Sequence, residues 1–169
     1  MKLRLNSLKE GSQTIEMTLT RSDLAIPDDS FVHPILASLS IYKGTSQITV
    51  NGQLKTDVAL QCDRCLESFD YNLDVTFQSI LSSVKSSDPK TDEDIIPITS
   101  KTNEVDLSPF AHDALIIGLP MKNICSETCK GICPGCGVNL NRVRCKCETT
   151  EVDDRWKPLE NLLTNTPEE

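Results

Sequence analysis

A chain of 169 residues with 38% apolar side chains is long enough for one domain with a small appendage, and aromatics at only 4% leave its core to Leu, Ile and Val. The net charge of −8 is the reverse of the basic bias of a general nucleic-acid binder, so any RNA contact has to be local. Met1-Lys2-Leu3-Arg4-Leu5-Asn6 alternates apolar and polar residues where a signal peptide needs an unbroken apolar run, and no stretch approaches ~18 apolar residues, which points to a soluble, cytoplasmic protein.

Residues 1 to 81 read mostly as β. Ile15, Met17 and Leu19 alternate with polar neighbours, as do Ile48 and Val50, and Asn51-Gly52 then offers the left-handed pair of a type I′ hairpin turn, with the return strand starting at Gln53. Leu54, Val58 and Leu60 share one face of that strand, and Phe69, Tyr71, Leu73, Val75, Phe77 and Leu81 mark a long half-buried strand after it. These two form a second hairpin, with Cys62-Asp63-Arg64-Cys65 at its tip.

The polar stretch 82 to 103 reads as a mobile loop holding one short strand around Ile95, Ile96 and Ile98. A helix is expected from Pro109 to Leu119: Ser108 caps it, Phe110, Ala114 and Ile117 form its packing face, and Gly118 and Pro120 end it. After the cysteine-rich segment 121 to 147, Trp156, Leu159, Leu162 and Leu163 recur at helical spacing and predict a short docking helix before a frayed end. The expected organisation is thus a β core with a covering helix over 1–120, a cysteine-rich zinc module packed on it over 121–150, and a short helix and tail over 151–169.

Eight cysteines in a reducing compartment read as metal ligands rather than disulfides. They fall as Cys62-x2-Cys65, Cys125-x3-Cys129-x3-Cys133-x2-Cys136 and Cys145-x-Cys147, enough for two Zn²⁺ ions with four thiolates each. Cys133-Pro134-Gly135-Cys136-Gly137 has the small residues a metal knuckle needs, and Cys145 and Cys147, leaving one face of an extended segment, close a site with it. By elimination Cys62, Cys65, Cys125 and Cys129 make the other, with Cys125 and Cys129 on one face of a helical turn. The rival partition joins Cys125, Cys129, Cys133 and Cys136 locally and leaves Cys62 and Cys65 with Cys145 and Cys147. Four thiolates can also hold iron, and a thiol redox pair is a further alternative, although it wants a βαβ setting rather than an antiparallel hairpin.

Between Met121 and Cys147, Lys122, Lys130, Arg142, Arg144 and Lys146 face the single anion Glu127. They either contact RNA phosphates or balance the −2 charge of each zinc–tetrathiolate. Arg64, Lys130, Arg142 and Arg144 are the candidate contact residues. No phosphate-binding loop, dinucleotide fingerprint, zinc-protease helix or nucleophile elbow is present, so no enzyme is expected. His33 and His112 are isolated, and the carboxylates of residues 92–94 and 151–154 read as solvated charge.

Leu60-Gln61-Cys62-Asp63-Arg64-Cys65-Leu66-Glu67-Ser68-Phe69 resembles the hallmark of the YceD-like family, the large ribosomal RNA subunit accumulation proteins. The run from Cys129 to Asn141, then Cys145-Lys146-Cys147 and Asp154-Arg155-Trp156, is similar to the cysteine-rich form of that family. The resemblance implies a role in accumulation of the large-subunit (23S) rRNA and hence in ribosome assembly, with no catalytic activity to carry over. Because some members lack the C-terminal cysteines, it also implies that the shared function resides in the β portion and the Cys62–Phe69 hairpin. The combined expectation is an α+β fold, mainly antiparallel sheet with one or two packing helices and a C-terminal zinc module. Its partners would be large-subunit rRNA, ribosomal proteins or assembly proteins; a protein–protein adaptor and a rubredoxin-like iron or thiol redox protein are the alternatives.

Overall fold

Period-two burial is carried furthest in strands Gln47–Gln61 and Ser68–Ser82, here β4 and β5. Every even-numbered β4 residue from Ile48 to Leu60 turns inward and is buried, and the two strands pair antiparallel from Gln47↔Ser82 to Gln61↔Ser68. The computed structural model describes residues 1–82, 95–99, 101–147 and Arg155. Within them, strands β1 (Lys2–Arg4), β2 (Gly11–Leu19), β3 (Ile35–Lys43), β6 (Ile95–Pro97) and β7 (Glu104–Asp106) and helix α1 (Ser108–Ile117) complete the regular elements, with 3-10 turns at Leu5–Ser7 and Arg21–Leu24.

Five strands form one sheet in the order β2-β3-β4-β5-β6, and β1 pairs with β7 in a separate two-stranded ribbon. The sheet is mixed rather than wholly antiparallel, because β6 runs parallel to β5. Its inner face meets α1 over a core of aliphatic side chains, among them Ile35, Leu39, Ile41, Val50, Leu54, Val58, Leu81 and Leu115. Among aromatic side chains only Phe31 is fully buried within the described residues, so the core is the aliphatic one that the composition demands. None of the helices described is long and apolar enough to cross a membrane.

Three local expectations are corrected. Asn51-Gly52 is not a turn: both residues lie inside β4, and the hairpin closes earlier, at Gly44–Ser46, where the Gly44 N–H donates to the Gln47 carbonyl at 2.9 Å. Gly52 is glycine for a steric reason, since a Cβ there would stand 2.1 Å from Cε1 of its cross-strand partner Phe77. The helix buries Ala111 and Leu115 fully; of the face expected, Phe110 packs half-buried against the core and Ala114 is half-buried, but Ile117 is 82% exposed. Leu107, Ala111 and Leu115 follow one another at four-residue spacing and fill the space over the sheet. Nor does Ser108 cap the helix: it is the first helical residue, and Asp106 Oδ1 accepts its N–H at 2.8 Å. The expected helix at Trp156–Leu163, the tail, and residues 83–94 and 100 of the expected loop lie outside the described residues.

Candidate metal centres

Two turns of identical design organise the cysteines. Between β4 and β5 the Leu66 N–H donates to the Cys62 carbonyl and the Cys62 N–H to the Glu67 carbonyl, both at 2.9 Å. In the C-terminal segment the Gly137 N–H donates to the Cys133 carbonyl and the Cys133 N–H to the Val138 carbonyl, both at 2.8 Å. The residue after the second cysteine is left-handed in each case, Leu66 at φ 62° and Gly137 at φ 74°. This ring curls the backbone so that both sulfurs of each pair point to one spot.

The partners arrive by different routes. Asp63 staples the incoming chain: its N–H donates to the Asn123 carbonyl at 2.7 Å and its Oδ2 accepts the Asn123 N–H at 2.8 Å. Cys125 and Cys129 then follow on a bend and a tight turn, not on the helical turn expected, because the Ser126 carbonyl takes the Cys129 N–H at 3.0 Å and its hydroxyl takes the Thr128 N–H at 3.3 Å. Gly131, at φ 74°, lets the backbone pass against the tip; a Cβ there would lie 3.0 Å from the Arg64 carbonyl oxygen. Arg64 holds both neighbours, its carbonyl accepting the Ile132 N–H at 3.0 Å and its guanidinium donating to the Cys129 carbonyl at 3.1 Å. A turn over Asn139–Val143 brings Cys145 and Cys147 back to the second knuckle.

The eight sulfurs thereby gather as Cys62, Cys65, Cys125 and Cys129, and as Cys133, Cys136, Cys145 and Cys147, each set lying within 4.8 Å throughout. The rival partition is not the one assembled. Sulfur separations are 3.9 Å for Cys62–Cys129, 3.7 Å for Cys65–Cys125, 3.2 Å for Cys133–Cys145 and 3.5 Å for Cys136–Cys145. A tetrahedron with metal–sulfur bonds of about 2.3 Å has edges of about 3.8 Å, so both tetrads fit a four-coordinate ion. The first is largely buried, Cys62, Cys65 and Cys129 packing with Phe69 and Ile124; the second leaves Cys136 and Cys147 exposed.

Protonation of the thiols fits the same chemistry. The Cys125 N–H, donating to Cys62 Sγ, leads in lowering the Cys62 thiol to about 6, whereas burial first, and then its neighbouring sulfurs, push Cys125 up to about 12. In the second set the Cys136 N–H leads in lowering Cys133 to about 6, and the sulfurs of Cys145 and Cys136 push Cys147 up to about 12. Asn141 Nδ2 donates to Cys129 Sγ at 3.3 Å and lowers that thiol too. Four thiols so close cannot all ionise against one another, and a cation bound among them would remove the remaining protons. Asp63, Asn123 and Asn141 were not singled out from the sequence; Asn is common in loops, and nothing in its spacing marks a sulfur partner.

The candidate cations divide. Arg142 pairs with Glu67 at 2.8 Å, joining the segment to the hairpin, and Arg64 is used as described. Lys130 and Arg144 are exposed and form no ion pair among the described residues. Neither histidine joins a tetrad: the His112 Nδ1–H donates to the Leu24 carbonyl at 3.0 Å, and His33 Nε2 lies 4.0 Å from Asp70 Oδ1.

Fold and site define a sheet protein whose longest hairpin is tied at its tip to a cysteine-rich segment by one of two tetrads suited to metal. The profile of the family described as large ribosomal RNA subunit accumulation protein YceD matches residues 50–163, which takes in both knuckles and all eight cysteines, and the chain belongs to that family. It is 23% identical to the chloroplastic large ribosomal RNA subunit accumulation protein YCED homolog 1 of Arabidopsis thaliana, over 91% of this chain and 55% of the relative. Identity to the Zea mays protein of the same name is 23%, over 77% of this chain and 54% of the relative, and an uncharacterised protein of Mycobacterium tuberculosis is 28% identical over 69% and 56%. The chain spans little more than half the length of these relatives. No solved structure matches it.

Proposed function

We propose that this protein is a non-enzymatic, cytoplasmic factor required for accumulation of the large-subunit rRNA, acting during ribosome assembly by non-covalent binding to rRNA or to assembly proteins. The observation that carries this reading is the family match over residues 50–163, supported by the names of the plant relatives. Zinc is the ion proposed for both tetrads, Cys62, Cys65, Cys125 and Cys129 holding one and Cys133, Cys136, Cys145 and Cys147 the other. When bound, zinc supplies a cross-link and a positive charge that keeps the thiolates ionised. The cysteines are then structural. The domain division expected above takes a specific form in this reading: the segment from 121 is held to the sheet through the Cys62–Glu67 tip.

Deletion of the gene is expected to lower the ratio of large- to small-subunit rRNA, read on total RNA, and an unchanged ratio would contradict the proposal. A second reading, an iron–thiolate electron carrier, draws on the same knuckle geometry. Stoichiometric zinc in colourless purified protein supports the first reading, and iron with visible thiolate absorbance supports the second.

A further inference from the structure

The two tetrads are built on the same ring but differ in how far solvent reaches their sulfurs. In the first, Cys62, Cys65 and Cys129 are buried, and the one exposed member, Cys125, has its sulfur 3.7 Å from that of the buried Cys65. In the second, Cys136 and Cys147 are exposed, Cys145 is half-buried and only Cys133 is buried. An open cleft of about 390 Å³ lies against this second set, lined by Cys136, Cys145 and Cys147 together with Val138 and Val143.

Hydrogen bonds divide the sulfurs of the second set in the same way. Its N–H donors serve the less exposed pair, the Cys147 N–H donating to Cys145 Sγ at 3.1 Å and the Cys136 N–H to Cys133 Sγ. Cys136 lines the cleft, and Cys145 Sγ stands 3.5 Å from its sulfur. Thiol oxidation follows thiolate character and access, and the sensitive arrangement is an accessible thiolate beside a second one that can resolve it. With a metal ion in each site all eight sulfurs are thiolates, so access decides between the sets.

Resting on the reading that zinc occupies both tetrads, we propose that the second tetrad is a site of reversible oxidation by hydroperoxides, which opens it while the first stays closed. The Cys136 thiolate attacks the peroxide: an S–O bond forms, the O–O bond breaks, the sulfur gives up two electrons and a hydroxide leaves. The Cys145 thiolate then attacks the Cys136 sulfur, forming an S–S bond and expelling the oxygen as a second hydroxide. Two thiolates and one hydrogen peroxide thus give one disulfide and two hydroxides. Cys133 and Cys147 remain, two ligands where a structural site needs four and too few to retain the ion. A dithiol reductant returns two electrons to the disulfide, is itself oxidised to a disulfide, and restores the set. Cys136 and Cys145 are only 9 residues apart, so the change stays local and the hairpin tip keeps its clamp.

The test treats the full zinc-loaded chain with hydrogen peroxide at about one equivalent per chain, reads released zinc with a chelating dye, and maps the cysteines by mass spectrometry. Loss of one of the two zinc equivalents is expected, with a Cys136–Cys145 disulfide and with Cys62, Cys65, Cys125 and Cys129 unmodified. Hydrogen exchange should quicken within residues 131–147 and stay as it was at 62–67, and dithiothreitol with added zinc should restore the second equivalent. Cys136→His keeps a fourth ligand that forms no disulfide and is expected to hold both ions at the same dose. Release of both equivalents together, oxidation of the first set before the second, a disulfide that leaves Cys136 reduced, or release from Cys136→His like that from the parent would each overturn the proposal. Where Cys136→His does not load two ions, the peptide map of the parent decides. The zinc reading fails separately: isolated protein holding no zinc overturns that reading and this inference with it, whereas two bound zinc ions that peroxide leaves in place, or removes together, overturn this inference alone.

Discussion

Sulfurs of the first tetrad join positions far apart in the chain, Cys65 to Cys125 across 60 residues and Cys62 to Cys129 across 67, whereas Cys133 and Cys136 reach Cys145 across only 12 and 9. The entropy that a cross-link removes from the unfolded chain grows as (3/2)RT ln n, so closing 60 residues rather than 12 stabilises the fold by about 1.4 kcal/mol more. For a chain of this size that is about 3–6 °C in Tm. We therefore expect Cys62→Ser and Cys136→Ser each to lose one equivalent of metal, but Cys62→Ser to melt lower than Cys136→Ser by that margin, because site formation and folding are coupled. Hydrogen exchange by mass spectrometry locates the damage. Cys136→Ser should speed exchange only within residues 131–147, and Cys62→Ser should free both the hairpin tip at 62–67 and the segment from 121 to 132. Equal melting temperatures, or a hairpin tip loosened by Cys136→Ser and not by Cys62→Ser, would refute the claim that the first tetrad is the long-range clamp and the second a local one.

Gly52→Ala places a Cβ against the Phe77 ring and is expected to destabilise the protein by about 1–3 kcal/mol in urea unfolding, as overpacking does, with Phe77→Leu in the same chain recovering part of the loss. A neutral Gly52→Ala would show that the ring does not lie across the glycine. Asp106 has its carboxyl held below the usual 3.8 chiefly by hydrogen bonds from Ser108 at the start of α1. Its folded pKa being the lower, it contributes stability that is present above about pH 4 and is lost as pH falls through the folded value. Asp106→Asn should therefore lower Tm at neutral pH and reduce the fall in Tm between pH 5 and pH 3 in a thermal-melt series, and an identical acid limb in both proteins would count against the contact.

The strands with long alternation, β4 and β5, and the placement of Cys62–Cys65 at their shared tip follow from period two alone, since side chains on one face of a hairpin must be apolar if that face is buried. The local ring of the Cys133 knuckle is equally legible, because it depends on residues within a few positions of each other. The Asn51-Gly52 dipeptide misled for an instructive reason. Gly serves both to adopt left-handed turns and to admit a close neighbour, and only the cross-strand register, which puts Phe77 opposite, separates the two uses. Likewise the helix face could not be chosen from α1 itself, where Phe110, Ala111, Ala114, Leu115, Ile116 and Ile117 leave the apolar side broad.

Residue types alone determined that the cysteines could form two sets of four suited to metal, that the core would be aliphatic, and that the basic side chains would lie near the cysteines in sequence, because each is a property of composition or of short-range spacing. Which of the two sulfur partitions is assembled, that Arg64 and Arg142 serve partly as struts, and that Leu66 is held exposed in a left-handed conformation were decided only when the chain from 121 closed on the hairpin tip. Long-range contacts are set by the packing of whole elements, and no local pattern encodes them.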